Sequence, residues 1–203
     1  MPTKIGIWNE ALAILGRQPV STIDPVDDAT RALADHWTRV PDAVLEEQNW
    51  NSSIRRVQLQ RLADGPTHGY RYFYQMPRDW MRIVELNDTG GERDVFEAWR
   101  QENDKIATDA DQIYLWYVAS ALQDEAIGRW SQALADYVSA KLALRMVPRF
   151  APKSMADAAA LEKKRRRLAM ALDAMANPPK RHTPGMWSRS RLGGIRNETD
   201  QGR

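Results

Sequence analysis

Carboxylates are the first residues in this chain whose type and spacing suggest chemistry. They stand as adjacent pairs at Asp27-Asp28, Glu46-Glu47 and Asp124-Glu125, and one residue apart at Asp109 and Asp111. Acid–base cleavage of a glycosidic bond needs two carboxyls that face one substrate in the folded chain. Adjacent residues on a helix diverge by about 100°, so the three adjacent pairs do not face a common ligand. Asp109 and Asp111 can share one side of an extended segment. That arrangement suits either a hard cation or a plain solvated turn. His36, His68 and His182 lie far apart, and no two have the spacing of metal ligands on one helix face. Gly90-Gly91 lacks the glycine and lysine context of a phosphate cradle and reads as a hairpin turn. Gly193-Gly194 lies in a polar tail. With no cysteine in the chain, thiolate zinc sites, iron–sulfur clusters, disulfides and thiol nucleophiles are excluded. No catalytic set, metal or cofactor is expected.

Charge gives a better lead. The whole chain carries a formal charge of only +2. From residue 178 to the end, however, six basic residues face two acidic ones, a local excess of four. A second concentration is the run Lys163, Lys164, Arg165, Arg166, Arg167. Five consecutive residues cover every side of a helix, so at least one must approach the body of the protein or a partner. The run is either a solvated helix face or a basic face turned toward a ring lumen or a neighbouring subunit.

The elements that must position these residues follow from periodicity. Helices are expected over about 3–16, 25–48, 127–147 and 154–177. Thr3 caps the first and Gly16 ends it. Ala29, Leu33, Trp37, Val40 and Val44 make one stripe of the second, kinked at Pro41. Pro148 and Pro152 bound a loop. Ser154 then caps the last helix, with Met155, Ala158, Leu161, Leu168, Leu172 and Met175 expected to face inward. Between the helical halves the period drops to two. Strands are expected at about 54–62, 70–76, 81–86, 95–99, 105–108 and 113–118, separated by turn residues. The expected fold is α+β but mainly α: a helical bundle with a small antiparallel β insertion over about 54–118. An extended basic arm at 178–203 follows a body of 1–177. No run is long and apolar enough for a membrane span, and residues 1–17 do not read as a signal peptide.

The arm holds little apolar material and cannot build a core. Met186 and Trp187, with Ile195 further on, are its main exceptions. A tryptophan flanked by Arg189 and Arg191 has the make-up of an anchor in a basic arm that a neighbour buries.

Several motifs, in order, resemble one family. Asn9, Ala11, Leu12, Leu15, Gly16 and Pro19, then Asp24 and Ala29, resemble the opening of the head-to-tail adaptor (connector) proteins of short-tailed phages. These are the tail tubular protein A group and the related portal accessory factors. Leu45, Trp50-Asn51, Arg56 and Leu59 continue the likeness. So does Tyr72-x-Tyr74-Gln75-Met76-Pro77-x-Asp79-x-x-Arg82-Ile83, with Met76 where the family has leucine. Ile106, Thr108-Asp109, the aromatic run 114–117, and Trp130 with Ala133-Leu134 follow in register. The chain departs from the pattern at 119–128, where the family has a proline-containing entry to the next helix. The resemblance spans about residues 5–177. It implies a structural, non-enzymatic virion protein at the head–tail junction, assembled from the host cytoplasm as a homo-oligomeric, twelvefold ring. The ring would dock on the portal protein through its C-terminal ends and carry the tail nozzle or tail tube. DNA would pass through the lumen without sequence-specific contact, and no membrane is involved. The alternative is a nucleic-acid-binding module using 163–167 and the basic tail. A third possibility, a tail-borne cell-wall hydrolase, has no recognisable catalytic set to support it.

Overall fold

The structure is a computed structural model of the 203-residue chain and describes residues 1–24, 26–90, 96, 98–121 and 127–176. The first helix, α1 (Lys4–Ile14), begins where Thr3 Oγ1 accepts the Gly6 N–H at 3.1 Å. It ends in a Schellman turn. Gly16 takes φ +67°, a left-handed value that a Cβ disfavours, and the Arg17 N–H reaches back to the Leu12 carbonyl at 2.9 Å. The expected second helix is two. Helix α2 (Asp28–Trp37) starts at a capping box of Asp27 and Thr30, and α3 (Val40–Leu45) starts anew after Thr38 and Arg39. Pro41 lies in the first turn of α3, where its missing N–H costs no hydrogen bond. The proline therefore begins a helix; it does not kink one.

Six antiparallel strands follow: β1 (Ile54–Gln58), β2 (Tyr72–Gln75), β3 (Trp80–Asn87), β4 (Trp99–Glu102), β5 (Lys105–Thr108) and β6 (Tyr114–Ala119). They form two three-stranded sheets, ordered β1-β6-β3 and β2-β5-β4. The chain just past β1 ties the sheets together: Arg61 bridges to Tyr74, and the Leu62 N–H donates to the Phe73 carbonyl at 2.8 Å. The strand expected at 95–99 lies later, at β4; residues 95 and 97 are outside the described residues.

Helix α4 (Gln132–Phe150) is capped by Ser131, whose Oγ accepts the Leu134 N–H. It continues through Pro148, where the sequence suggests a loop. The proline sits in the last turn, so only the Leu144 carbonyl loses its helical donor. A short 3₁₀ turn (Pro152–Ser154) leads into α5 (Met155–Ala176).

The expectation of a mainly α helical bundle with a small β insertion is overturned. The described residues hold five helices and two three-stranded antiparallel sheets, 44% helix and 20% strand. The physical reason lies in β6. Val118 faces a helical core built around Trp8, Leu12, Leu33, Trp50 and Leu142. Leu115, Tyr117 and Ala119 face a second core, with Tyr74, Met76, Ile106 and Ile113. The second half of the central strand, 117–119, is buried on both faces, so the sheet is a wall shared by two cores. The expected C-terminal arm, 178–203, lies outside the described residues.

Candidate assembly surface

Helix α5 carries the basic run and the largest departure from the expected burial. Of its twenty-two residues only Ala158 and Ala169 are buried. Leu168, Leu172 and Met175 are 53%, 45% and 75% exposed, and Met155 is exposed too. These four were expected to face the core. The seam that packs on α4 instead uses alanines, with Leu161 and Met170 partly buried beside them. Each alanine methyl contributes about 0.8 kcal/mol, so apolar burial alone holds this helix weakly.

Polar ties supply the rest. Arg165 reaches Glu10 on α1 and donates from Nη1 to the Asp136 carbonyl of α4 at 3.1 Å. Arg166 Nε donates to Glu47 Oε2 at 2.8 Å. Near the other end, the Asp173 carboxylate accepts the Asn51 N–H at 3.1 Å, and Asn51 Nδ2 donates to the Asp173 carbonyl at 2.7 Å. Burial pushes the Asp173 carboxyl above the ordinary range, against the opposing hydrogen bond from Asn51. Two of the five basic residues in the run are thus committed inside the chain. Lys163, Lys164 and Arg167 are exposed.

Glu47 is the hub. It accepts from Tyr137 Oη at 2.8 Å, from Lys141 and from Arg166. Burial acts to raise its carboxyl, but hydrogen bonds from Lys141 and Tyr137, with the charges of Lys141 and Arg166, hold it below the ordinary value. The same burial and carboxylate push the Tyr137 phenol strongly upward. The cluster ties the end of α3 to α4 and α5. Every member meets another, so it reads as a structural clamp.

The other candidates resolve into local roles. Asp27 caps α2, Asp28 pairs with Arg149, and Glu46 is exposed. Asp109 accepts the Arg71 N–H at 2.9 Å, while Asp111 lies 3.9 Å from Arg61. The two carboxylates therefore serve different partners. Among the described residues no three His, Asp or Glu side chains gather as a metal site. His36 is half-buried on α2, and His68 sits in the exposed β1–β2 loop beside Thr67. Gly90 takes φ +71° and donates to Asn87 Oδ1 at 2.8 Å, but the strands on either side, β3 and β4, belong to different sheets, so the expected hairpin does not form. A hollow of about 270 Å³ lies where β1 begins, lined in part by Ser52, Arg55, Arg129 and Trp130, but Arg55 is committed to Asp79 at 2.6 Å. Asp124, Glu125, His182, Gly193, Gly194 and the arm residues Met186, Trp187, Arg189, Arg191 and Ile195 lie outside the described residues.

No protein-family model matches the sequence, and neither does any curated protein. The residues that carry the resemblance to head-to-tail adaptors can still be placed. Asn9 bonds both backbone groups of Val20, accepting its N–H at 2.8 Å and donating to its carbonyl at 3.0 Å. Trp50 Nε1 donates to the Val44 carbonyl at 2.8 Å from a fully buried ring. Asp79 joins Arg55 to Tyr117 Oη and accepts the Ser120 N–H on its backbone carbonyl. Burial, with the Asp79 charge, pushes the Tyr117 phenol up to about 12. Met76 and Tyr74 are core. These motif residues do framework work: they close turns and join layers.

Sequence reasoning places the helix α5 but misjudges which face it buries. Four apolar residues at helical spacing read as a core stripe, and nothing local marks them as exposed. One hint was available. The stripe is interrupted between Leu161 and Leu168 by the basic run, which a core-facing surface of that width would not tolerate.

Proposed function

We propose that the chain is a structural head-to-tail adaptor subunit. It forms a ring beneath a phage portal, extends the DNA channel and presents a docking platform for the tail nozzle or tail tube. The supporting observation is α5: a long helix that leaves Leu168, Leu172 and Met175 in solvent beside Lys163, Lys164 and Arg167. A contiguous apolar strip rimmed by charge marks a surface that another protein covers. The ordered likeness of the Asn9–Pro19, Tyr72–Ile83 and Trp130–Leu134 motifs to adaptor proteins supplies the kind of assembly.

In this role the chain needs no catalytic set. It is a homo-oligomer of twelve at the head–tail junction of the virion, made in the host cytoplasm, with DNA passing through its lumen by shape and charge alone. The basic arm, with Trp187 as its anchor and Arg189 and Arg191 as support, docks on the portal. Ordering the arm costs free energy, which burial of the tryptophan offsets. That balance keeps the subunit monomeric until the portal gathers it.

Mass in solution tests the proposal. The full chain alone should be a monomer, and with a portal preparation it should enter a ring-sized complex. A chain ending at Asn177 should stay monomeric in both cases. Retention of that shortened chain on portal-bearing particles would remove the arm from the mechanism. Failure of the full chain to bind portal at all would remove the function.

A further inference from the structure

The exposed strip on α5 has a chemical counterpart elsewhere on the same chain. Ile23 and Val26, in the α1–α2 loop, are 41% and 76% exposed. Asp24 and Asp27 stand beside them, both exposed. One surface is apolar with cations, the other apolar with carboxylates. We propose that Leu168, Leu172 and Met175 receive Ile23 and Val26 of a second copy, with Lys164 and Arg167 meeting Asp24 and Asp27. The proposal rests on the assembly role above and names the contact between neighbouring subunits.

Geometry keeps a chain's own Ile23 and Val26 away from its own strip. The Asp28–Arg149 pair holds the loop beside the end of α4, next to the start of α5. Leu168 is thirteen residues along α5 and Met175 twenty, which at 1.5 Å per residue is about 20 to 30 Å away. The Asp173–Asn51 contacts place that far end against the residues preceding β1. The two surfaces therefore sit near opposite ends of α5.

Charge also sets the kind of contact. Pairing the strip with itself in parallel would bring Lys164 and Arg167 of both copies together, and like charges oppose it; antiparallel pairing would part these cations but offer them neither Asp24 nor Asp27. Pairing strip with loop joins opposite charges. Such a contact uses different surfaces on the two copies, so it propagates and closes only as a ring. Three side chains and a short loop fall below the roughly 1,000 Å² of a stable interface, so the contact is transient in free solution.

The absence of cysteine makes the test clean. Full-length chains carrying only Leu172→Cys are mixed with chains carrying only Val26→Cys and oxidised without portal. Circular dichroism confirms that both variants fold. The mixed disulfide dimer should exceed either homodimer several-fold. Lys164→Glu in the first chain should reduce it, and Asp24→Lys in the second should restore it. A dominant Leu172→Cys homodimer would overturn the proposal in favour of two-fold pairing. So would a mixed yield no greater than that obtained with Val57→Cys, an exposed position on β1; the strip would then serve another protein or the chain's own C-terminal segment. Portal binding is read separately, so loss of one result leaves the other standing.

Discussion

The Tyr137 hydroxyl donates to the Glu47 carboxylate at 2.8 Å, joining the chain just past α3 to the second turn of α4 from a fully buried ring. Removing that hydroxyl leaves the carboxylate with Lys141 and Arg166 but takes away its only neutral donor in the cluster. A hydrogen bond to a charged group contributes about 1.5–3 kcal/mol. Tyr137→Phe should therefore lower unfolding free energy by about 2 kcal/mol, with an unchanged denaturant slope, in urea titrations followed by tryptophan fluorescence.

Glu47 also makes a pH prediction. Its folded carboxyl lies below the ordinary value of 4.5, so the unfolded chain binds its proton first as pH falls. Its stabilisation is complete above about pH 4.5 and is lost as pH drops through the lower folded value. Asp173 acts in the opposite sense: its raised carboxyl favours the folded state at low pH, and that contribution disappears as pH rises through the folded value. Glu47→Gln should lower stability at neutral pH and flatten its fall below pH 4.5. Equal acid slopes for the two proteins would contradict the clamp.

The helix stripes of α1, α2 and α4 are visible in the sequence because each of these helices buries one well-marked face. Leu33, Trp37, Val40 and Val44 are all in the core, as their spacing implies. What periodicity cannot carry is partnership. The stripe Leu168, Leu172, Met175 has the same local pattern as a core stripe, yet α5 packs through Ala158 and Ala169. Nor does spacing show that β6 is buried on both faces, which depends on two cores meeting across one sheet. The apolar motif residues were legible as core positions. The tasks of Asn9 and Asp79 were not, because their partners Val20, Arg55 and Tyr117 lie 11 to 38 residues away.

Gly65 gives a steric prediction. A Cβ built there would stand 2.6 Å from the Arg71 carbonyl oxygen, a backbone atom that cannot rotate away. Gly65→Ala must shift the loop between β1 and β2. It should cost about 1–3 kcal/mol, the range for overpacking. Gly69→Ala has open space, but φ +91° strains it for a different reason. Thermal unfolding of both variants should show losses. Of the two, only Gly65→Ala should directly perturb the amide resonance of Tyr72, which shares a peptide group with the Arg71 carbonyl.

The basic run should divide by role. Lys163, Lys164 and Arg167 are exposed, and glutamate at each should move stability by less than about 0.5 kcal/mol. Arg165 and Arg166 are tied to Glu10, Asp136 and Glu47. Arg165→Met keeps much of the stem but removes the bonds to Glu10 and to the Asp136 carbonyl, and should cost about 1–2 kcal/mol. Equal effects at all five positions would mean that the internal ties are worth nothing.

The same division bears on nucleic acid. A duplex binder that used the whole run and the tail would release about one counterion per phosphate contact, and its affinity would fall steeply with salt, with a logarithmic slope near −0.9 per contact. With Arg165 and Arg166 engaged inside the chain, the run offers only Lys163, Lys164 and Arg167 to phosphates. Three contacts from the helix give a slope near −3, and affinity between 50 and 200 mM salt should drop by about fifty-fold from an already weak value. A subunit that lets DNA slide through a ring needs this weakness, since tight phosphate binding would stall the passage. Binding of free duplex, measured by fluorescence anisotropy, should therefore vanish near physiological salt and be indifferent to base sequence. Lys163→Glu with Lys164→Glu should abolish what remains at low salt. Tight binding at 200 mM, or a slope far steeper than the exposed cations allow, would replace the proposed adaptor role with that of a nucleic-acid-binding module.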